Sequence, residues 1–429
     1  MAKSALATPQ VFHAGHLRGT IAVPGDKSIS HRALILGAAS PEPLEITHVN
    51  PGRDVRATME ALIALGARIE RDGSSLRIAA ARLRESMGTL ECMNSASTAR
   101  MLLGVCAGAD IRAQFDGDGS LRKRPMEPVA AQLRAFGAKI ETENGRMPMR
   151  IEGTPQVETR DFILLDASAQ VKSALLFASV YSGAPISISA DRGSRDHTER
   201  LLHYLGADIA WNGRNIALRS SALLQRPIAV AGDFSAAAFF IVAATIADGS
   251  DLSIPDVNVN PTRTGLLDIL QTMGARIEIS NRRDAANEPV ADLRVFSAPL
   301  QAVTVGADLA LRAIDEIPLV AIAGAFAAGE TKISGIQALR SKESDRVAGI
   351  ERLLRAAGIE SETASSGLVI QGGTPKGTGT MVETHGDHRI AMAAATLAAA
   401  AGPIAVDSDA DFDVSFPSFA QTLRSVQHA

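Results

Sequence analysis

An amphipathic helix pattern that closes on Gly-Ala, a charged residue and Ile recurs along this chain, and no other feature narrows its fold so far. It appears as MEALIALGARIE (Met59–Glu70), AAQLRAFGAKIE (Ala130–Glu141), ERLLHYLGADIA (Glu199–Ala210) and LLDILQTMGARIE (Leu266–Glu278). Weaker copies are IERLLRAAGIES (Ile350–Ser361) and FAQTLRSVQ near the C-terminus. The glycines Gly66, Gly137, Gly206, Gly274 and Gly358 stand 71, 69, 68 and 84 residues apart. Gly after a last helical turn supplies a left-handed cap, and the following Ile opens a strand. A second pattern is a helix apolar on nearly all sides, which implies burial. Its copies begin near His31, Ser95, Ala169, Ser235, Asp315 and His388, after KSISHR, NSAST, SAQVK, GDFSA, IDEIP and GDHR. Short alternating segments such as SLRIA, MRIEG and LRVFS read as strands. Each unit of roughly 70 residues is therefore strand, buried helix, strand, amphipathic helix and further strands. Six such units in 429 residues predict an α/β (α+β) protein of two domains, three units each.

Composition sets the remaining bounds. Lys and Arg number 43 against 47 Asp and Glu, a formal net charge of −4, so no global field favours nucleic acid. Two cysteines, Cys92 and Cys106, cannot build a disulfide framework and suit a reducing compartment. The start MAKSALATPQVF lacks the apolar core of a signal peptide, and the Ala-rich run Ile390–Ala401 is too short to span a bilayer. A soluble, cytoplasmic protein is expected, with no membrane partner.

The chemistry concentrates at helix openings. Pro24-Gly25-Asp26-Lys27-Ser28-Ile29-Ser30-His31-Arg32 sets cations and hydroxyls on the first turns of a buried helix. Unpaired N–H groups and the positive dipole end make such a place attract anions. Leu121-Arg-Lys-Arg-Pro-Met126, Asp166-Ala-Ser-Ala-Gln-Val-Lys172, Ser341-Lys-Glu-Ser-Asp-Arg346 and Gly386-Asp-His-Arg389 repeat the theme. Ordinary caps would explain the Ser and Asp. They would not explain Lys and Arg, which are unfavourable at an N-terminus unless a negative partner attends them.

The strings PGDKSISHR, NSASTAR, RKRPM, SAQVKSALL, SRDHTERLL, IDEIP, SKESDRV and GDHRIAM, in this order, closely resemble the enolpyruvyl transferases, and among them the EPSP synthase family. The resemblance implies a two-domain inside-out α/β barrel: residues 1–26 with 233–429 form a discontinuous domain, 27–232 the second, and the active site lies in the cleft between them. It implies transfer of the enolpyruvyl group of phosphoenolpyruvate (PEP) to the 5-hydroxyl of shikimate 3-phosphate, through a tetrahedral intermediate, with release of phosphate. It implies no cofactor and no metal, and a monomer. By motif match, Lys27, Asn94, Ala96, Arg124, Gln170, Arg346 and Arg389 hold PEP. Lys27, Ser28, Arg32, Ser168, Ala169, Gln170, Arg195, Asp315 and Lys342 hold shikimate 3-phosphate. Asp315 is the matched base for the attacking hydroxyl, and Lys27, Lys342 and Glu343 are its acid–base partners. Guanidinium forks suit both carboxylate and phosphate. Glu316 reads as a helix cap.

Departures from the family pattern are local. Met93 precedes Asn94, Ala96 stands at a common Gly, Ser97 at a common Thr, and Val414 at a frequent Lys. Ala96 resembles the glyphosate-tolerant class. Asp407–Asp413 lacks the Gly and Glu of a calcium loop, Gly372–Thr380 reads as a hairpin turn rather than a P-loop, and His385 with His388 shows no third zinc ligand. Two rivals remain: the related transferase acting on a UDP-sugar, which uses a loop Cys as acid, and a non-catalytic anion-binding scaffold.

Overall fold

The computed structural model describes residues 9–428 apart from 74, 80, 155, 158–159, 166–167, 365–366 and 409. The segment MAKSALAT, Asp166-Ala167 and Asp409 lie outside the described residues. The chain divides into two compact units. One is Gly25–Ala231 with Asp284–Pro289. The other joins the residues up to Pro24 to Gly232–Arg283 and Val290–Ala429. The expected cuts after 26 and 232 thus fall after Pro24 and Ala231, and six residues of the expected discontinuous domain belong to the other unit. The reason is side-chain chemistry. Asp284–Pro289 is the tip of the hairpin Arg276–Ala285/Glu288–Phe296, and Glu288 Oε1 lies 2.7 Å from His197 Nδ1, both side chains buried. Beside them Arg200 Nη1 donates to the Asn287 carbonyl at 3.0 Å, and Asn287 Nδ2 donates to the Arg200 carbonyl at 3.1 Å.

In the Gly25–Ala231 unit the helices are α1 (Lys27–Ala39), α2 (Arg53–Ala64), α3 (Ala96–Gly108), α4 (Glu127–Phe136), α5 (Ala169–Ser182) and α6 (His197–Tyr204). The odd-numbered ones are buried almost all round and the even-numbered ones on one face, as the two patterns require. Helices α3 and α5 approach so closely that a Cβ on Gly104 or Gly108 would stand 2.1 Å from the carbonyl oxygen of Ala174 or Ala178. Three open sheets flank this helical core. In each, a parallel pair continues into an antiparallel hairpin: Ile228–Ala229 beside Leu44–Thr47, Leu90–Glu91 beside Arg112–Asp116, and Asp161–Leu164 beside Ile186–Ala190. Register places apolar residues opposite one another, for example Leu44 against Ile78 and Phe115 against Met149, with charged residues alternating outward.

The other unit repeats the plan with α7 (Phe234–Ile246), α8 (Gly265–Thr272), α9 (Ala307–Arg312), α10 (Ile317–Phe326), α11 (Arg346–Ala356), α12 (His388–Ala401) and α13 (Phe419–Val426). Helices α7, α10 and α12 are the buried three, and the short α9 is an addition. Parallel pairs recur at His16–Thr20 with Asp251–Asn258, Thr304–Val305 with Glu330–Ser334, and Met381–Val382 with Ile404–Val406. All five repeat glycines have φ between 70° and 122°, so the cap reading holds. Gly372–Thr380 is not a hairpin turn. It joins strands of two different sheets, and its Gly377 and Gly379 amides donate to Ala401 and Pro403 carbonyls at 2.7 Å. Among the described residues, no helix is long and apolar enough to cross a membrane.

Candidate active site

The opening motif divides into outward and inward residues. Asp26 caps α1, its Oδ1 accepting from the Ile29 amide at 2.9 Å. Gly25 is required because a Cβ there would lie 1.7 Å from the His48 carbonyl oxygen. Ser30 and His31 face the core. Ser30 Oγ accepts from the Asn50 amide at 3.0 Å, and His31 Nδ1 is 2.7 Å from Thr58 Oγ1. Burial first, then the cations Lys27 and Arg32, hold the His31 pKa well below its ordinary value. Ser30 is therefore a structural hydroxyl rather than the anion donor that the motif suggested.

Lys27 Nζ pairs with Asp54 Oδ2 at 2.8 Å. Arg32 is almost wholly buried. Its Nε donates to Thr198 Oγ1 at 2.7 Å, Nη1 to the Ser28 carbonyl at 2.8 Å and Nη2 to Ser173 Oγ at 2.8 Å. Desolvation draws its pKa down to about 10 against the pull of Glu199 and Asp26. Ser173 Oγ also donates to the Ala169 carbonyl at 2.7 Å, so Arg32, Ser28 and the opening of α5 are brought together. Ser168 caps α5. Buried Lys172 pairs with Glu199 at 2.6 Å and donates to the carbonyl of Arg195, which the motif match assigns to shikimate 3-phosphate, at 2.9 Å.

A second group gathers at α3. Arg124 Nη1 donates to the Asn94 carbonyl at 3.2 Å, and its Nη2 to Asn94 Oδ1 and to Ser120 Oγ, the latter at 3.3 Å. Gln170 Nε2 donates to Ser97 Oγ at 2.8 Å, and Gln170 Oε1 accepts from Arg100. Asn94, Ala96, Arg124 and Gln170 thus share one neighbourhood, joined by Arg100, the last residue of NSASTAR, to which the motif match gave no role. Cys92 and Cys106 are buried nearby. Desolvation pushes the Cys106 thiol up to about 12 and raises that of Cys92 as well, so neither suits the acid role of a loop cysteine.

In the other unit Asp315, Lys342, Glu343, Arg346, Asp387 and Arg389 converge. Arg346 is the hub, with Nε 2.9 Å from Asp387 Oδ2, Nη1 3.4 Å from Asp315 Oδ1 and Nη2 2.5 Å from Glu343 Oε2. Burial works against its charge, but Asp387, Glu343 and Asp315 outweigh it and raise its pKa. Lys342 Nζ lies 3.8 Å from Asp315 Oδ1. Arg389 Nη1 donates to the Asp315 carbonyl at 3.3 Å, and its Nη2 is 4.0 Å from Asp315 Oδ2. Glu316 is not a cap: it occupies the N-cap position of α10 without a side-chain cap bond.

The cations at helix openings are thus not lone charges, as the motifs alone implied. Lys27, Lys172 and Arg389 each have a carboxylate from elsewhere in their own unit. Asp54, Glu199, Thr198, Ser173 and Asp387 are residues that sequence reasoning left without a role. SAQVKSALL, SRDHTERLL and GDHR contained all but Asp54, as neighbours of better-known positions. Val414 is a buried core residue, so nothing cationic replaces the frequent Lys at that position.

Comparison with known proteins fits this geometry. The family model described as EPSP synthase (3-phosphoshikimate 1-carboxyvinyltransferase) matches residues 12–423. A relative from Acidithiobacillus ferrooxidans, named 3-phosphoshikimate 1-carboxyvinyltransferase, is 44% identical over 409 residues, 94% of either chain. A solved EPSP synthase from Acinetobacter baumannii superposes with a TM-score of 0.85 at 35% identity over 98% of both chains. The enolpyruvyl transferase NikO from Streptomyces tendae superposes with a TM-score of 0.76, also over 98% of both, and at 19% identity that is a likeness of fold alone. Charged helix openings ordered as the motifs require, and a relative this similar along nearly all its length, lead to one conclusion: this chain belongs to the EPSP synthase family.

Proposed function

We propose that this protein transfers the enolpyruvyl group of PEP to the 5-hydroxyl of shikimate 3-phosphate, in the shikimate pathway to aromatic amino acids. The observation that carries the mechanism is the convergence of Asp315, Lys342, Glu343, Arg346 and Arg389. Asp315 takes the proton of the 5-hydroxyl as its oxygen bonds to C2 of PEP, and an acid protonates C3. Loss of a C3 proton and departure of phosphate from C2 then complete the exchange. Asp315 lies beside the Arg346 and Arg389 guanidinium groups and serves as the base for that hydroxyl proton. Lys342, Glu343 and Lys27 handle the C3 proton. Arg124, Arg346 and Arg389, with Lys27, Asn94, Ala96 and Gln170, bind PEP. Ser28, Arg32, Ser168, Ala169, Gln170 and Arg195, with Lys27, Asp315 and Lys342, bind shikimate 3-phosphate. The reaction needs both sets. Asp54, 2.8 Å from Lys27, orients that ammonium.

The UDP-sugar alternative loses support from the two buried thiols, and a scaffold would have no use for Asp315 and Glu343 together. The reduced, buried cysteines suit a cytoplasmic setting, and we take the chain to act as a monomer. The deciding experiment is phosphate release from PEP, dependent on shikimate 3-phosphate. Lys27→Met, which keeps the stem and removes charge and proton, abolishes turnover and weakens PEP binding in a folded protein. Wild-type activity in that variant would move the chemistry elsewhere.

A further inference from the structure

Glu316 is fully buried, yet its carboxylate neither caps its own helix nor reaches solvent. Taking a carboxylate out of water costs several kcal/mol unless partners compensate it. Glu316 does not cap α10, and with no exposed surface it has no access to a substrate. Its contacts instead reach the first turns of the two other buried helices of its unit. Oε1 accepts from Ser235 Oγ on α7 and lies 3.7 Å from Arg389 Nη1 on α12. Ser235 Oγ in turn accepts from Arg263 Nη2 at 2.6 Å. Oε2 is enclosed with no hydrogen-bond partner among the described residues. Among the described residues, the other carboxylate paired with Arg389 is that of Asp315, 4.0 Å away. A base that takes up a proton loses its negative charge, so Asp315 cannot hold Arg389 equally well throughout the reaction. Glu316, sealed from the substrate, can.

We infer that Glu316 is a positioning residue for PEP: it sets the Arg389 guanidinium and, through Ser235, ties the openings of α7, α10 and α12 around it. The inference rests on the reading of Arg389 as a PEP ligand. Steady-state kinetics and melting temperatures of the full-length protein test it with four variants. Glu316→Gln keeps shape and the bond to Ser235 but loses the charge. It raises the PEP KM about tenfold while the shikimate 3-phosphate KM and kcat stay near wild type. Glu316→Asp recovers part of that loss. Equal increases in both KM values, or a lower melting temperature with kinetics unchanged, overturn the inference. Should Glu316→Gln not fold, Ser235→Ala decides: a rise confined to the PEP KM supports the inference, and no such rise overturns it. Arg389→Gln separates the two levels. A raised PEP KM there with none in Glu316→Gln defeats the inference alone, whereas a normal PEP KM in Arg389→Gln defeats the reading of Arg389 and the inference with it.

Discussion

We propose that Ala96 is the residue on which inhibitor selectivity turns. It is the first residue of α3, 7% exposed, and bonds on either side fix its surroundings. Asn94 is held by Arg124, and Ser97 Oγ receives the Gln170 amide at 2.8 Å. By the motif match, the Ala96 methyl takes up room that the Gly common at this position would leave open. Weak inhibition of the natural protein by glyphosate is expected, with Ala96→Gly more sensitive by about 5- to 150-fold, the equivalent of an overpacking cost of roughly 1–3 kcal/mol. Inhibition constants against PEP check this, and equal values for the two proteins would show that the methyl is not the gate. At this scale the sequence was legible wherever a motif presents its own chemistry, as at Lys27 or Asp315. It gave no role to Asp54 or Glu199, because acidic residues on ordinary amphipathic helices look like solvated surface until folding sets them against Lys27 and Lys172.

Helices were predictable as elements; their separations were not. The two glycines of α3, Gly104 and Gly108, could be read as weak helix formers in a buried run. Their purpose is to admit the backbone of α5. Two effects oppose each other in Gly104→Ala. Helix propensity gains about 1 kcal/mol, but the new Cβ would start 2.1 Å from a backbone carbonyl oxygen that cannot rotate away. Overpacking against rigid neighbours costs about 1–3 kcal/mol or more, so the variant is destabilised. Urea unfolding should show a lower midpoint at an unchanged slope. A midpoint equal to wild type or higher would mean that α3 and α5 separate at no cost.

For the molecule as a whole, the unit to which a segment belongs is decided by what its side chains meet. Asp284–Pro289 lies in sequence amid the discontinuous unit, yet it belongs to the other through Glu288 and Asn287. Glu288→Ala leaves His197 buried without its carboxylate, at a cost of about 3 kcal/mol. Thermal unfolding should register a lower Tm for this variant, with Glu288→Gln falling less because it keeps an acceptor. A melting curve identical to wild type would show the pair to be incidental. The sequence by itself determined the sixfold repeat, the two kinds of helix, the glycine caps and the order of the chemical motifs. All of these depend on residues within a few turns of one another, where periodicity and backbone preference act. Tertiary structure alone decided which cations are neutralised, why Glu316 is buried, and where the hairpin tip belongs. Those outcomes depend on groups such as Ser235, Glu316 and Arg389, which are far apart along the chain and meet only when burial makes an unpartnered charge too costly to keep.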